Sequence, residues 1–513
     1  MGKILPASRN EKSLTIPLHP VKLCAKLDEM KTSLLCILLL AFTACAVERH
    51  AVFTEDTSVF RNPGQGWSTM GGEPSLKRLE KIVNIGAVYS RLIWSDLEPE
   101  EDVYNWKPLD DLLACGERHG LPVSFRIMCV NRSGGPEYDT PKWVFEKGAA
   151  QDPFEIAIRP WRKAGTAPLT AQPKHAPHFD DPVFLAAHEK FIKALGARYD
   201  GHPLLAGLDL GSYGDWGEWH CSGLPPNVPE KLDRDAGGRI LDPQPKRKYV
   251  AARVYPLEIR KRYANAYLNA FRKTPIVFMS DDWEVMKYAM GDGDLPRVGF
   301  RRDGVGSPWH FTRWIGTVPY TALPNMGDVW RTRPVWFEFF AGATDMRSRG
   351  WDIPYSIEWM LTNHVTVVNT CPFRPEGLQA DDPLLPLLRR IDLYAGARLV
   401  PTSASTRLEN GVLTISLTGE NKGVAPIHLP YEAVYAFQST DGGIVAEHVA
   451  ASDPTTWLPG PFILSDKLTP PSGFAEGRLL LTLRLRHKGG KLRNFRFAAL
   501  ECDDTGTLVL QRN

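Results

Sequence analysis

Two glutamates in this 513-residue chain keep unusual company. Glu218 closes the run Gly211-Ser212-Tyr213-Gly214-Asp215-Trp216-Gly217-Glu218-Trp219-His220. Its glycines let the backbone turn sharply beside a ligand, and its indoles offer flat faces. Glu338 lies between Phe337 and Phe339, late in an apolar stretch where an unpartnered charge is costly. Two carboxyl groups across a glycosidic bond can hydrolyse it, one of them holding a proton; retention of configuration places them about 5–5.5 Å apart. Neighbours such as Trp219, Phe337 or Phe339 would raise a carboxyl pKa by excluding water. Each glutamate also has a simpler reading. Glu338 would pair with an inward arginine such as Arg91, Arg126 or Arg301, and Glu218 would cap loop amides.

For these residues to meet, the fold must bring positions 218 and 338 together. From 60 to about 395, strand-like and helix-like segments alternate. Gly66-Trp67 opens the series, and a helix over 76–85 closes at Gly86. Strands follow at 87–94, 123–128, 204–212, 275–280, 298–301, 334–340 and 365–369. Helical spacing falls at 109–119, 183–199, 257–272, from Trp283 onward, at 355–363 and at 384–394. Eight strands joined by helical crossovers imply a parallel sheet closed as an α/β fold, the (β/α)8 TIM barrel. The sixth unit is the weakest, because 301–333 has little helical periodicity. From about 399 short alternating strands take over: 412–417 after an Asn410-Gly411 turn, then 432–437. A hairpin is expected to join 479–486 to 492–500 through Gly489-Gly490. This reads as an all-β sandwich. The expected division is an export segment at 1–45, the barrel at 46–398 and the sandwich at 399–513.

Barrel sites form at the C-terminal ends of the strands, which puts Glu218 after the fourth strand and Glu338 on the seventh at one mouth. The same rule gathers other candidates. Arg91, Arg126 and Arg301 would orient a carboxylate or bind an acidic sugar. Asn131 and Asn369 would hydrogen-bond sugar hydroxyls. Asp215 is an alternative acid, and His220 either a subsite ligand or a loop histidine. Asp281 and Asp282, ending the fifth strand, are hydroxyl ligands or a helix N-cap. Trp94, Trp216, Trp219, Trp283 and Trp336 are faces on which sugar rings would stack.

Lys plus Arg number 61 against 59 Asp plus Glu, a net charge of +2, which provides no field for capturing nucleic acid. GxGxxG, Walker A and HExxH motifs are absent. Cys115, Cys129, Cys221, Cys371 and Cys502 are scattered without ligand-like spacing, so neither a metal nor another cofactor is expected. Fourteen of the 15 Trp precede residue 400, and the sandwich holds only Trp457, so packing on the barrel is its simplest role. Near the start, Met30-Lys31 introduces an apolar run over 34–44, too short to span a bilayer but suited to a secretory segment. Its end, Phe42-Thr43-Ala44-Cys45, resembles a bacterial lipoprotein cleavage box with Cys45 lipidated; an ordinary signal with an incidental Cys45 is the alternative. The expected partner is an oligosaccharide or polysaccharide, with no nucleic acid. A membrane enters only through a lipid anchor on a cell-envelope protein, and a periplasmic or secreted location is the alternative.

Arg91-Leu92-Ile93-Trp94, Leu97-Glu98-Pro99-Glu100, Tyr104-Asn105-Trp106 and Leu109-Asp110 resemble the second-strand region of clan A glycoside hydrolases, with the β-galactosidase-like families nearest. Asn62-Pro63 with Gly66-Trp67, the 214–220 run and a terminal β-sandwich resemble a bacterial family of exported proteins lacking an established activity. The resemblance covers roughly 60–513. It implies retaining hydrolysis of a β-linked saccharide, with Glu218 as acid/base and Glu338 as nucleophile. One departure stands out. Clan A enzymes usually carry Asn immediately before the acid/base glutamate, where it holds the sugar 2-hydroxyl, and this chain has Gly217. That keeps open a non-catalytic glycan-binding protein on a glycosidase-like barrel and, third, a hydrolase or lyase using Asp281 and Asp282.

Overall fold

The computed structural model describes residues 47–158, 169–245, 253–293, 296–311 and 326–511. The expected export segment and Cys45 lie outside the described residues. In chain order the strands begin with β1 (Val47–Val52), β2 (Gly66–Ser68), β3 (Ile85–Ile93) and β4 (Val123–Met128). A hairpin of β5 (Gln151–Ile158) and β6 (Thr170–Pro177) follows, then β7 (Leu205–Asp209), β8 (Ile276–Met279), β9 (Gly299–Val305), β10 (Val335–Phe339) and β11 (Val367–Asn369). Strands β2, β3, β4, β7, β8, β9, β10 and β11 are parallel to their neighbours and close in that order, β11 returning to β2. Helices at Lys107–His119, Pro182–Tyr199, Leu257–Ala270, Trp283–Met290 and Ile353–Thr362 form the crossovers. The eight-unit barrel read from the sequence is the fold.

Its details correct the reading in three places. The first helix is Glu73–Leu79, not 76–85, because Ile85 already belongs to β3. Gly86 does not end a helix: a Cβ there would lie 1.8 Å from the Gln65 carbonyl oxygen, so glycine is needed for close strand approach. The stretch after β4, read as loop, contains the β5–β6 hairpin. Pro153, Pro173 and Pro177 masked it, and a two-stranded ribbon tolerates prolines that a central strand would not. The sixth unit is short on helix, as expected, with only Pro308–His310 and the 3-10 turn Met326–Arg331 among its described residues.

Beyond the helix Leu385–Tyr394 come β12 (Leu399–Glu409), β13 (Val412–Asn421), β14 (Tyr431–Ser439), β15 (Ile444–Val449), β16 (Gly460–Leu468), β17 (Leu479–His487) and β18 (Thr507–Gln511). Two four-stranded antiparallel sheets, β1-β12-β13-β16 and β15-β14-β17-β18, make the sandwich. Asn410 and Gly411 turn β12 into β13 with φ of 50° and 76°, the left-handed pair that a two-residue hairpin needs. Because β1 pairs with β12, residues 47–52 belong to the sandwich and not to the barrel, contrary to the division at 46.

The expected hairpin from 479–486 to 492–500 does not form. β17 pairs with β14 and β18, and the later segment meets it in a single bridge, Leu485 with Phe495, while Ala499 bridges to Glu55. The backbone groups it would need are already engaged. Asn62 Nδ2 donates to the Arg496 carbonyl at 3.1 Å, and the Arg496 amide donates to Asn62 Oδ1 at 2.7 Å. Gln65 clamps Ala397 in the same reciprocal way, at 2.8 and 2.9 Å. The loop leading into the first barrel strand is therefore bolted to both the sandwich and its linker. Asn62→Ala removes both of its bonds at a buried position and should lower stability by about 2–3 kcal/mol, read as the free energy of denaturant unfolding. An unchanged midpoint and slope would show that the clamp contributes nothing.

Candidate active site

Alternate residues of a barrel strand point inward. On β3 these include Tyr89 and Arg91, level in register with Ser124 and Arg126 of β4. Arg126 in turn is level with Asp209 of β7. β9 supplies Arg301 and Asp303, two residues apart on the same face, and Glu338 on β10 is level with Asn369 on β11. Beyond β7 the chain passes through Gly214, with φ of 80°, and the 3-10 turn Asp215–Gly217, which sets Glu218 over the mouth. Gly217 has φ of 70°, and a Cβ there would lie 2.8 Å from the Ile127 carbonyl oxygen. Asn cannot occupy that place without moving the backbone, so the departure from the clan A pattern has a local steric cause.

These side chains form one buried ionic lattice. Arg91 Nη2 lies 2.9 Å from Glu218 Oε1 and 2.9 Å from Glu338 Oε1. Arg126 bridges Glu218 at 2.9 Å and Asp209 at 2.8 Å. Arg301 reaches Glu338 at 2.6 Å, Asp303 at 2.9 Å and Asp209 at 3.2 Å. Asn369 Nδ2 donates to Glu338 at 3.1 Å, and the Tyr89 hydroxyl donates to Asp209 at 2.7 Å. Oxygens of Glu218, Asp303 and Glu338 all lie within 4.8 Å of one another. That spacing would suit a divalent cation, but three guanidinium groups already reach the same oxygens, so arginine fills the cationic role. A second group, Glu73 with Cys115 and His119, has its carboxylate engaged by Arg118 and His119.

Three carboxyls this close raise one another's pKa values, against the pull of the arginines among them. Burial, then the neighbouring Asp303 and Glu218, outweigh Arg91 and Arg301 and push Glu338 up to about 7. Asp303 is raised as well, by burial and by Glu218. Glu218 is half-buried, and Arg91, His220 and Arg126 hold it well below the usual carboxylate range. His220 sits between Glu218 at 3.6 Å and Asp215 at 3.8 Å, and these acids overcome burial to raise it to about 9. These shifts favour the proton on Glu338 and the charge on Glu218. That is the reverse of the roles the resemblance implies.

The remaining candidates separate into two groups. Asp215 is fully buried, accepts from the Gly223 amide at 2.8 Å and lies near Arg132 and His220. Trp216, held at φ of 50°, donates to Ser133 and lies under Arg132, beside a cleft of about 250 Å³. Asp281 pairs with Arg302 at 2.7 Å, and Trp283 keeps an exposed ring. Asn131 is engaged in a turn, its oxygen accepting from the Ser133 amide. The others are structural. Trp94 is wholly buried against Phe184, Phe191, Trp143 and His188, so it offers no face to a sugar. Trp219 packs on Phe278 and donates to the Leu210 carbonyl, and Trp336 fills the barrel interior with Val277 and Val367. Asp282 caps the helix Trp283–Met290 and pairs with Arg260, as its N-cap reading required.

Asp209, Asp303 and Tyr89 escaped the sequence reading. Asp209 was visible as a lone charge in an apolar strand. Asp303 was not, because the sixth strand was read as ending at Arg301, whereas β9 runs to Val305.

A β-galactosidase family model (glycoside hydrolase family 42) matches residues 76–215, which include Arg91 and Arg126 but neither glutamate. No curated protein matches the chain. Among solved structures, endo-glycoceramidase II from Rhodococcus sp. aligns at 14% identity over 82% of this chain and 100% of its own, with a TM-score of 0.34. A psychrophilic family 10 endo-β-1,4-xylanase aligns at 11% identity over 60% and 85% of the two chains, with a TM-score of 0.33. The catalytic domain of the major endoglucanase from Xanthomonas campestris pv. campestris aligns at 11% over 66% and 97%, with a TM-score of 0.32. Likeness at this level assigns no activity. Among the described residues no helix is long and apolar enough to cross a membrane.

The raised Glu338 has a consequence for stability. Between pH 4.5, its ordinary value, and about 7, the unfolded chain gives up this proton while the native protein keeps it. Rising pH therefore favours unfolding across that window, and the effect levels off above it. Unfolding profiles of wild type and Glu338→Gln should diverge over this window, wild type losing stability relative to the variant as pH rises. Parallel profiles would mean that Glu338 is ionised throughout.

Proposed function

We propose that this protein is a glycoside hydrolase that cleaves a β-linked saccharide with retention of configuration through Glu218 and Glu338. The observation that supports it most is the meeting of these two carboxyls, from opposite sides of a barrel mouth, with oxygens within 4.8 Å. That separation fits the short, retaining arrangement, about 5–5.5 Å between carboxyls, with no room for a water between them. Glu338 attacks the anomeric carbon. Glu218 protonates the leaving oxygen and then activates the water that releases the sugar.

This preference must invert for the reaction to proceed, and Arg91 supplies the means. Its Nη2 occupies the space between the carboxyls where the anomeric carbon must sit. A sugar entering there drives Arg91 off Glu218. Arg91 is the foremost of the charges that hold Glu218 low, so its withdrawal raises that carboxyl. Arg91 retained on Glu338, together with Arg301 and Asn369, favours the anion there. The proton thereby passes from Glu338 to Glu218 as the substrate binds. The protein is further proposed to act outside the cytoplasm, anchored through a lipid on Cys45.

The same bridge supports a second reading. If Arg91 stays in place, the mouth is closed to a reacting sugar, and the barrel binds glycans through its rim without turnover. Gly217, in place of the asparagine that would hold the 2-hydroxyl, agrees with that reading. A panel of chromogenic β-glycosides separates the two. Wild type should release chromophore from at least one member, and Glu338→Gln should lose that activity by about 1,000-fold or more. Saccharide binding without release, unaltered by Glu338→Gln, would establish the second reading.

A further inference from the structure

At the opposite end of the barrel from these acids, its foot meets the sandwich across a cleft of about 810 Å³. That volume lies within the range of small-molecule sites, about 300–1,000 Å³. Its permanent charges are one-sided: Lys273, Arg331, Arg333 and Lys488 line it, against a single carboxylate, Asp453. Arg331 is neutralised by Asp328 at 2.7 Å and stacks on Trp330. Among the described residues no carboxylate pairs with Lys273, Arg333 or Lys488. Arg333 is the telling member. It is half-buried, its guanidinium donates from Nη1 to the neighbouring Thr332 carbonyl, and its Nε has no partner.

The wall is also unsatisfied in neutral hydrogen bonds. Thr332 Oγ1 is buried without a partner, and so is Nδ1 of His487, a side chain only 2% exposed. Three polar atoms beneath the two walls of the cleft, Thr332 Oγ1 and Arg333 Nε on the barrel side and His487 Nδ1 on the sandwich side, thus lack a partner beside uncompensated positive charge. A buried cation keeps its charge at a desolvation cost that an anion relieves, and a guanidinium matches an oxyanion in shape as well as charge.

We infer that this cleft is a binding site for a small ligand bearing a tetrahedral oxyanion, a sulfate or phosphate ester, held by the Arg333 guanidinium with Lys273 and Lys488. The site is independent of the acids at the barrel mouth and of any reaction there.

Isothermal titration calorimetry of the full chain with glucose 6-sulfate, glucose 6-phosphate and glucose tests it. One or both esters should bind saturably and glucose should not; whichever ester binds identifies the source of the oxyanion. Arg333→Gln should weaken binding by about tenfold or more, as expected for the loss of a charge-assisted contact. Lys488→Glu, a change at an exposed side chain that leaves the core untouched, should weaken it too. Glu338→Gln should leave the affinity as it is. The inference fails if neither ester binds at millimolar concentration, or if binding survives both cleft variants. It also fails if Glu338→Gln abolishes binding, because the ester would then be at the barrel mouth.

Discussion

A single guanidinium nitrogen lying 2.9 Å from each of two inward-facing glutamates constrains most of what this barrel can do. Arg91 is one of three arginines drawn inward, and each needs carboxylates to remain charged away from water. Asp209 answers Arg126 and Arg301 from below, and Asp303 answers Arg301 beside the mouth. No neighbouring pair of strands holds all of these partners. They come from β3, β4, β7, β9 and β10, so the lattice exists only when the eight strands close. Removing one partner leaves an uncompensated buried charge, a loss of about 3–5 kcal/mol in comparable cases. Site and barrel therefore depend on the same contacts.

The lattice also bears on chemistry. Guanidinium groups in place of a metal leave the carboxyls close together yet bound to movable side chains. Position alone does not then decide which glutamate is acid and which is nucleophile; the placement of Arg91 does. A mouth closed by its own arginine in the absence of ligand is compatible with a substrate that opens it and with a barrel that has lost turnover. The difference lies in whether a sugar can displace one cation from one carboxylate.

Much of this was legible in the sequence, for identifiable reasons. The strands are apolar runs bounded by helical periodicity, so their number and order could be read directly, and the rule that sites gather at strand ends selected Glu218, Glu338, Arg91, Arg126 and Arg301. What failed depended on contacts distant in sequence. Trp94, Trp219 and Trp336 carry the same side chain as Trp216, and only packing separates wall from surface. Strand β1 joined a sheet whose other members lie some 350 residues on, which no local pattern announces. The 492–500 segment had strand-like composition, but Asn62 had claimed the backbone of Arg496, and Leu399, Asp56 and Thr54 that of Ala498 and Leu500. The Asn62-Pro63 and Gly66-Trp67 motif, prominent in the resemblance, proves to serve assembly: Asn62 and Gln65 lock the first barrel strand to the rest of the molecule.

The central claim is that Glu338 becomes the nucleophile once a sugar displaces Arg91, and it can be tested by trapping. Incubation with activated 2-deoxy-2-fluoro-β-glycosides, followed by intact-mass and peptide mass spectrometry, reports the covalent state directly. The account predicts an adduct of one fluorosugar on the peptide containing Glu338. An adduct on Glu218 would reverse the assignment of roles, and no adduct from any glycoside that the protein turns over would contradict the covalent mechanism itself.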